Sequence, residues 1–112
     1  MEFLKALVEQ DFGMERIHNG RTYRQFAGIM IHDNLWLSIQ ASFAHYSIPR
    51  ETIDDLQKYT HWEVALFTRD NFVRVTDVLP EFPSLAEIEH YESQVYAYVP
   101  ADLVEELYLA LK

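Results

Sequence analysis

The sequence predicts an α+β fold, in which an antiparallel sheet of five or six strands carries N- and C-terminal helices packed on one face. Alternating apolar and polar segments fill the middle of the chain, and strong turn signals separate several of them. Apolar stripes with helical spacing lie at both ends. Because 112 residues suffice for one compact core, we expect a single domain spanning residues 1–112.

The chain opens with a predicted helix and a predicted hairpin. Residues 2–11 carry an apolar stripe with the spacing of a short amphipathic helix. Residues 14–18 and 21–27 are predicted strands, joined at Asn19-Gly20. This dipeptide is a strong hairpin signal because both central residues of a type I′ turn need positive φ.

The most regular predicted strand covers residues 35–42, after an extended segment at 29–32 and a turn at Asp33-Asn34. Side chains of a strand alternate between the two faces of a sheet. One face is an apolar core face, made of Leu35, Leu37, Ile39 and Ala41. The other face carries hydroxyls, an amide and an indole, from Trp36, Ser38, Gln40 and Ser42.

The central part of the chain predicts a connection, a short helix and a second hairpin. Residues 43–50 are the connection, and Thr52 is the expected N-cap of a helix that runs through Tyr59. The segments 61–68 and 72–79 are predicted strands on either side of a short polar turn.

The last third predicts a helix, a strand and a C-terminal helix. Residues 84–92 form a predicted helix, 94–99 a strand and 101–112 a helix with a clear apolar stripe. Tyr96 and Tyr98 would share one face of the strand, and both would lie on the side of the sheet away from the helices if the opposite, valine-containing face packs on them.

Four segments resemble a loose set of small proteins encoded by phages and prophages. The resembling segments are SIQAS at 38–42, HYSIPR at 45–50, YTHWEVALF at 59–67 and VYAYVPADLVEEL at 95–107. The predicted hairpin at 14–28 lies outside the match. The resemblance implies a phage accessory role, such as counter-defence. Because the set is largely without assigned function, it transfers no catalytic residue.

Composition excludes several classes of site. The chain has no cysteine, which excludes disulfides, thiolate metal sites and thiol nucleophiles. Its first residues are charged and amphipathic, unlike a signal peptide, and no apolar run approaches the roughly 18 residues of a membrane span. We therefore expect a cytoplasmic protein that needs no cofactor.

The charge is strongly and unevenly negative. The net charge is −9, and no lysine or arginine occurs in residues 75–111, where eight acidic residues fall. Acidity argues against binding the phosphate backbone of DNA or RNA. It is compatible with an inhibitor that mimics nucleic acid toward a basic partner, although most acidic surfaces serve only solubility.

The polar strand face runs directly into a loop that is rich in hydrogen-bonding and aromatic side chains. The candidate ligand-binding residues are Ser38, Gln40, Ser42, His45, Tyr46 and Arg50. Arginine would bind a carboxylate or phosphate, the hydroxyls and amide would orient the ligand, and the phenol could stack on a ring. The pattern therefore suggests a pocket for a small anionic, nucleotide-like ligand. The plainer interpretation is a solvated strand face beside an ordinary loop.

Metal and catalytic chemistry find little support in the sequence. The pair Glu87 and His90 has one-turn helical spacing but no second copy, so we expect no metal. Ser42, His45 and Glu63 offer a serine, an imidazole and an acid without any recognised nucleophile motif. A small hydrolase using His45 is therefore only an alternative, and we assign no catalytic residue.

Together these patterns favour a non-catalytic phage-type accessory binding protein, acting as a homo-oligomer. Its expected partner is a small anionic ligand or a host protein, with no direct binding to nucleic acid and none to membranes. The main alternative is an acidic protein–protein inhibitor that mimics nucleic acid.

Overall fold

The computed structural model describes residues 1–10, 17–18 and 21–112, and for 17–18 and 21–22 it describes the backbone only. The helices are α1 (Glu2–Ala6), α2 (Val75–Val78), α3 (Leu85–Glu89) and α4 (Ala101–Leu111), with a 3₁₀ turn at Leu56–Lys58. The strands are β1 (Ile17–His18), β2 (Arg21–Thr22), β3 (Ile29–His32), β4 (Leu35–Gln40), β5 (His61–Phe67), β6 (Phe72–Val73), β7 (Glu92–Ser93) and β8 (Val95–Pro100).

An antiparallel sheet with the order β3-β4-β5-β8-β7 forms the body of the protein, and β6 pairs with the end of β5. Helix α4 packs on β5 and β8, and α1 packs against α4. The predicted α+β class, with a sheet of five or six strands and helices at both ends, is therefore confirmed. None of the helices in the described ranges has the length and apolar character needed to cross a bilayer.

The core lies between one face of the sheet and the helices. Leu35, Leu37, Ile39 and Ala41 are all 3% exposed or less, which confirms the predicted core face of β4. Strand β5 adds a second apolar row in the same way, and Phe3 of α1 meets the ring of Trp62 edge-on at 5.3 Å. Burial of such large side chains contributes roughly 2–3 kcal/mol each.

The N-terminal helix is shorter than predicted. It ends at Ala6 rather than near residue 11, because residues 8–10 instead pair with residues 25–27. The backbone N–H of Gln10 donates to Gln25 O at 2.8 Å, and that of Ala27 donates to Val8 O at 2.7 Å. These hydrogen bonds satisfy backbone groups of residues 8–10 and 25–27, and they outweigh local helix propensity.

The predicted N-terminal hairpin is present as a short ladder, in which the second strand ends at Thr22 rather than at residue 27. Ile17 pairs with Thr22 and His18 with Arg21 in antiparallel register. The predicted turn at Asn19-Gly20 and residues 11–16 lie outside the described residues.

Two elements of the central region differ from the prediction. The helix expected from Thr52 to Tyr59 is a single 3₁₀ turn capped by Asp55, whose carboxylate accepts the N–H of Gln57 at 3.1 Å. The strand expected at residues 72–79 ends at Val73 and continues as the short helix α2. A side chain drives that change, since a carboxylate oxygen of Asp77 accepts the Arg74 N–H at 3.2 Å and caps α2.

A β-bulge in β8 separates the two tyrosines that the sequence predicts on one face. The register between β5 and β8 shifts between Trp62 and Val64, so an extra residue of β8 lies opposite Glu63. Tyr98 takes a left-handed conformation there, with a φ of 57°. As a result Tyr96 is buried at 3% and Tyr98 is 37% exposed, which corrects the prediction.

A carboxylate of α4 fixes the start of α1. The two oxygens of Glu105 accept the backbone N–H groups of Glu2 at 2.6 Å and Phe3 at 2.9 Å. Burial acts to raise the pKa of Glu105, but these hydrogen bonds and the N-terminal ammonium outweigh it, so that the pKa is lowered. The ionised carboxylate therefore stabilises the packing of α1 on α4.

Replacing this carboxylate tests its role. We expect Glu105→Ala to lower the free energy of unfolding at neutral pH by about 0.5–1 kcal/mol, at the low end for helix caps because the site is solvent-exposed. A lowered folded-state pKa adds stability above 4.5, and this contribution disappears as the pH falls through the folded value. Urea unfolding across this range checks both points. An equal loss in Glu92→Ala, an exposed acid with no such contact, would contradict the assignment.

Candidate functional site

An open cavity of about 510 Å³ lies over the face of the sheet that points away from the core. Its floor comes from β4 and β5, one wall from residues 25–28, and its rim from the turn at 68–72. The lining residues are Gln10, Gln25, Phe26, Gly28, Ser38, Gln40, His45, Glu63, Ala65, Phe67, Thr68, Arg69, Asp70, Asn71, Phe72 and Val95.

Strand register explains the polar floor. Ser38 lies opposite Ala65 and Gln40 lies opposite Glu63, so these side chains share one face of the sheet. The polar face predicted for β4 therefore continues across β5. The half of this face around Ser38, Gln40 and Glu63 is hydrophilic, and the half toward the rim carries aromatic side chains.

Three of the six predicted site residues, Ser38, Gln40 and His45, line this cavity. Gln40 is buried at 2%, and its amide bonds with the backbone of Phe26 in both directions. The amide oxygen accepts Phe26 N–H at 2.8 Å, and the amide nitrogen donates to Phe26 O at 2.8 Å and to Ser38 Oγ at 2.9 Å. Gln40 thus joins the wall to the floor, and its hydrogen-bonding groups are already engaged.

The imidazole of His45 is likewise held by its neighbours. His45 is 7% exposed, with Nδ1 at 2.7 Å from Ser42 Oγ and Nε2 at 3.2 Å from Gln25 Oε1. In the neutral imidazole, Nε2 donates to the Gln25 oxygen and Nδ1 accepts the Ser42 hydroxyl hydrogen. Ser42 itself is fully buried and does not line the cavity, so its hydroxyl cannot reach a ligand there.

The structure does not bring Ser42, Tyr46 and Arg50 to this cavity. Arg50 is exposed, and its Nε donates to Phe43 O at 3.2 Å. Its guanidinium lies 5.0 Å from the centre of the Tyr46 ring, which in turn is 5.7 Å from the Tyr98 ring. The geometric expectation that this guanidinium converges with the polar strand face is therefore corrected. The Arg50 side chain instead lies beside the exposed ring of Tyr46, outside the cavity.

Glu63 is the central polar residue of the floor, and the sequence reasoning did not place it among the ligand-binding residues. One carboxylate oxygen accepts the backbone N–H of Tyr46 at 3.3 Å. Burial raises the pKa of Glu63, and the Tyr46 N–H and the nearby charge of Arg50 only partly offset this. A signal was present in the sequence, because Glu63 is a charged residue inside a strand whose neighbours Trp62 and Val64 are fully buried.

The rim carries a cation that the sequence assigned only to a turn. Arg69 is exposed, and its backbone N–H donates to Asn34 Oδ1 at 2.8 Å. Within the described residues its guanidinium makes no ion pair or hydrogen bond. Beside it Phe72 is 68% exposed and meets Phe67 at 6.3 Å between ring centres. The rim therefore pairs an accessible positive charge with aromatic surface.

The site has a limited chemical repertoire. The described residues contain no group of three side chains that could hold a metal ion. On the floor, the groups with spare hydrogen-bonding capacity are the Ser38 hydroxyl hydrogen and the second oxygen of Glu63, which have no partner among the described residues. This arrangement suits recognition of a polar edge on a small planar molecule.

Much of the acidic region is used internally. Asp77 caps α2, Glu105 caps α1, and Glu106 accepts the Ser84 hydroxyl at 2.7 Å. Glu89 accepts the Tyr96 hydroxyl and forms an ion pair with Arg74 at 3.3 Å. Half of the eight acids in residues 75–111 thus stabilise the fold, which weakens the case for a continuous surface that imitates nucleic acid.

Comparison of the chain with protein-family models, with curated proteins and with solved structures found no match.

Removing the amide that joins wall to floor should destabilise the protein. Gln40→Met keeps a similar volume but leaves the N–H and C=O of Phe26 without partners, which costs about 2–3 kcal/mol. Urea unfolding and hydrogen exchange at the Phe26 amide measure this effect.

The matched control is Ser38→Ala, which removes one acceptor of the Gln40 amide and leaves both bonds to Phe26. We expect it to cost about 0.5–1 kcal/mol or less. Unchanged protection of the Phe26 amide in Gln40→Met would show that other contacts hold the wall.

Proposed function

We propose that this protein is a non-catalytic binding protein that captures a small planar anion of the nucleotide type in the cavity over β4 and β5. The observation that carries the proposal is the combination, in one cavity, of a polar floor, aromatic side chains toward the rim and a rim arginine with no side-chain partner among the described residues. The resemblance to phage-encoded proteins supports an accessory role in infection, such as counter-defence.

The dimensions and lining support a small ligand. A volume of about 510 Å³ falls within the roughly 300–1,000 Å³ typical of ligand pockets. Phe67 and Phe72 offer ring surface, and base–aromatic stacking contributes roughly 1–3 kcal/mol per base.

The charge at the rim supports an anionic group on that ligand. Arg69 takes the role that the sequence analysis gave to Arg50, since Arg69 lines the cavity and Arg50 does not. A guanidinium can donate two parallel hydrogen bonds to a phosphate or carboxylate. Asp70 also lies at the rim, so the proposal requires direct contact with Arg69 rather than a broadly positive surface.

Binding without catalysis is favoured by the state of the reactive groups. Ser42 is buried away from the cavity, and both ring nitrogens of His45 have protein partners. A hydrolase mechanism using these two residues would need the Ser42 hydroxyl as a nucleophile or the His45 imidazole as a base available to the ligand. These contacts instead support a structural role for both residues.

Nucleoside monophosphates test the proposal directly. A ligand at about 100 times its Kd stabilises the folded state by about 2.7 kcal/mol, so a clear rise in Tm is expected. We expect Arg69→Ala to weaken binding about 10- to 100-fold through loss of the charge-assisted contacts, as measured by calorimetry.

Arg50→Ala is the matched control, because it removes an arginine that is also exposed but lies outside the cavity. We expect it to weaken binding far less than Arg69→Ala, since Arg50 acts on the cavity only through its charge near Glu63. The absence of any thermal shift with the four common nucleoside monophosphates would refute the proposal, and a larger loss in Arg50→Ala than in Arg69→Ala would move the anion site to the loop.

A further inference from the structure

We infer that Glu63 determines which base the cavity accepts, and that it selects a base presenting N–H and amino donors, as guanine does. This inference rests on the proposed function and adds the identity of the ligand edge and of the residue that reads it.

The carboxylate has one oxygen held and one available. The first oxygen accepts the Tyr46 N–H at 3.3 Å, and the second has no hydrogen-bond partner among the described residues. Glu63 lines the cavity, so the second oxygen is the strongest acceptor on its floor. A carboxylate accepts hydrogen bonds and, while ionised, donates none. A ligand that fits must therefore bring donors.

The carboxylate is also positioned in advance by the backbone around it. Tyr46 donates its N–H to Glu63 and accepts the Tyr98 N–H at 3.1 Å. Tyr98 lies in the bulge opposite Glu63, with the uncommon φ of 57°. Bulges and left-handed residues often occur beside functional sites, where they direct side chains. Here they fix the loop that holds the first oxygen of Glu63.

The neighbouring group on the floor completes the pattern. Gln40 lies opposite Glu63 on β4, but its amide is engaged with Phe26 and does not compete for the ligand. Two residues along β4, the Ser38 hydroxyl accepts from Gln40 and retains its own hydrogen to donate. The floor thus offers one donor and one strong acceptor on the same face.

Guanine matches this pattern better than the other common bases. Its Watson–Crick edge carries a carbonyl acceptor beside a ring N–H and an exocyclic amine, which are both donors. Hypoxanthine lacks only the amine, adenine lacks the ring N–H, and uracil places its N–H between two acceptors. The available oxygen of Glu63 has two lone pairs and can accept both donors, while the carbonyl would face Ser38.

The test compares GMP with IMP, which differ by the amine alone, on the unmodified protein and on Glu63→Gln. The variant keeps an oxygen for the Tyr46 N–H and places an NH₂ group where the second oxygen was. We expect calorimetry to show GMP binding about tenfold or more tightly than IMP, which corresponds to one charged hydrogen bond. In Glu63→Gln this preference should disappear.

Ser38→Ala is the matched control, because GMP and IMP carry the same carbonyl. It should weaken both ligands by the same factor and leave their ratio unchanged. The melting temperature of each variant reports whether it folds, and if Glu63→Gln does not fold, the GMP to IMP ratio of the unmodified protein decides alone.

The outcomes separate the two proposals. Equal Kd values for GMP and IMP, or a preference retained in Glu63→Gln, would overturn the role of Glu63 while nucleotide capture stands. Binding of no nucleotide at all would overturn both.

Discussion

The hydrogen bonds between the Gln40 amide and the backbone of Phe26 are the contacts on which the cavity depends. They attach residues 25–27 to the outer face of the sheet by copying the pattern of a strand ladder with a side chain. Each group involved is buried and would cost roughly 1–3 kcal/mol if left unpaired. Because this segment is held above the sheet, a flat polar face becomes the floor of a hollow.

The side chain of Arg24 holds neighbouring loop segments together in a similar way. Arg24 donates to Ala41 O at 2.8 Å and to Ile53 O at 2.9 Å, and it also reaches the Tyr59 hydroxyl at 3.1 Å. These contacts join three connections that have little regular structure of their own. Polar and charged side chains thus hold these connections in place through hydrogen bonds. Side chains engaged in this way are not available to bind a ligand.

The bulge in β8 links the fold to the site. A regular strand would place Tyr96 and Tyr98 on one face, but the extra residue buries Tyr96 and turns Tyr98 toward Tyr46. A non-glycine residue in the left-handed conformation destabilises the fold by roughly 1–2 kcal/mol, so the surrounding contacts must hold it in place. The bulge lies opposite Glu63, so the local strain coincides with the acceptor that we propose reads the ligand.

Local patterns in the sequence determined the fold class, the core face of β4 and the hairpin strand β5, because alternation and helical spacing act over a few residues. They also located the polar row that includes Ser38 and Gln40. Only the tertiary structure decided that Gln40 is a structural contact, that Arg50 turns outward and that Glu63 and Arg69 join the cavity. The physical reason is that hydrogen-bond partners distant in sequence, such as Phe26 for Gln40 and Tyr46 for Glu63, determine whether a polar group is engaged or available, and no local pattern encodes them.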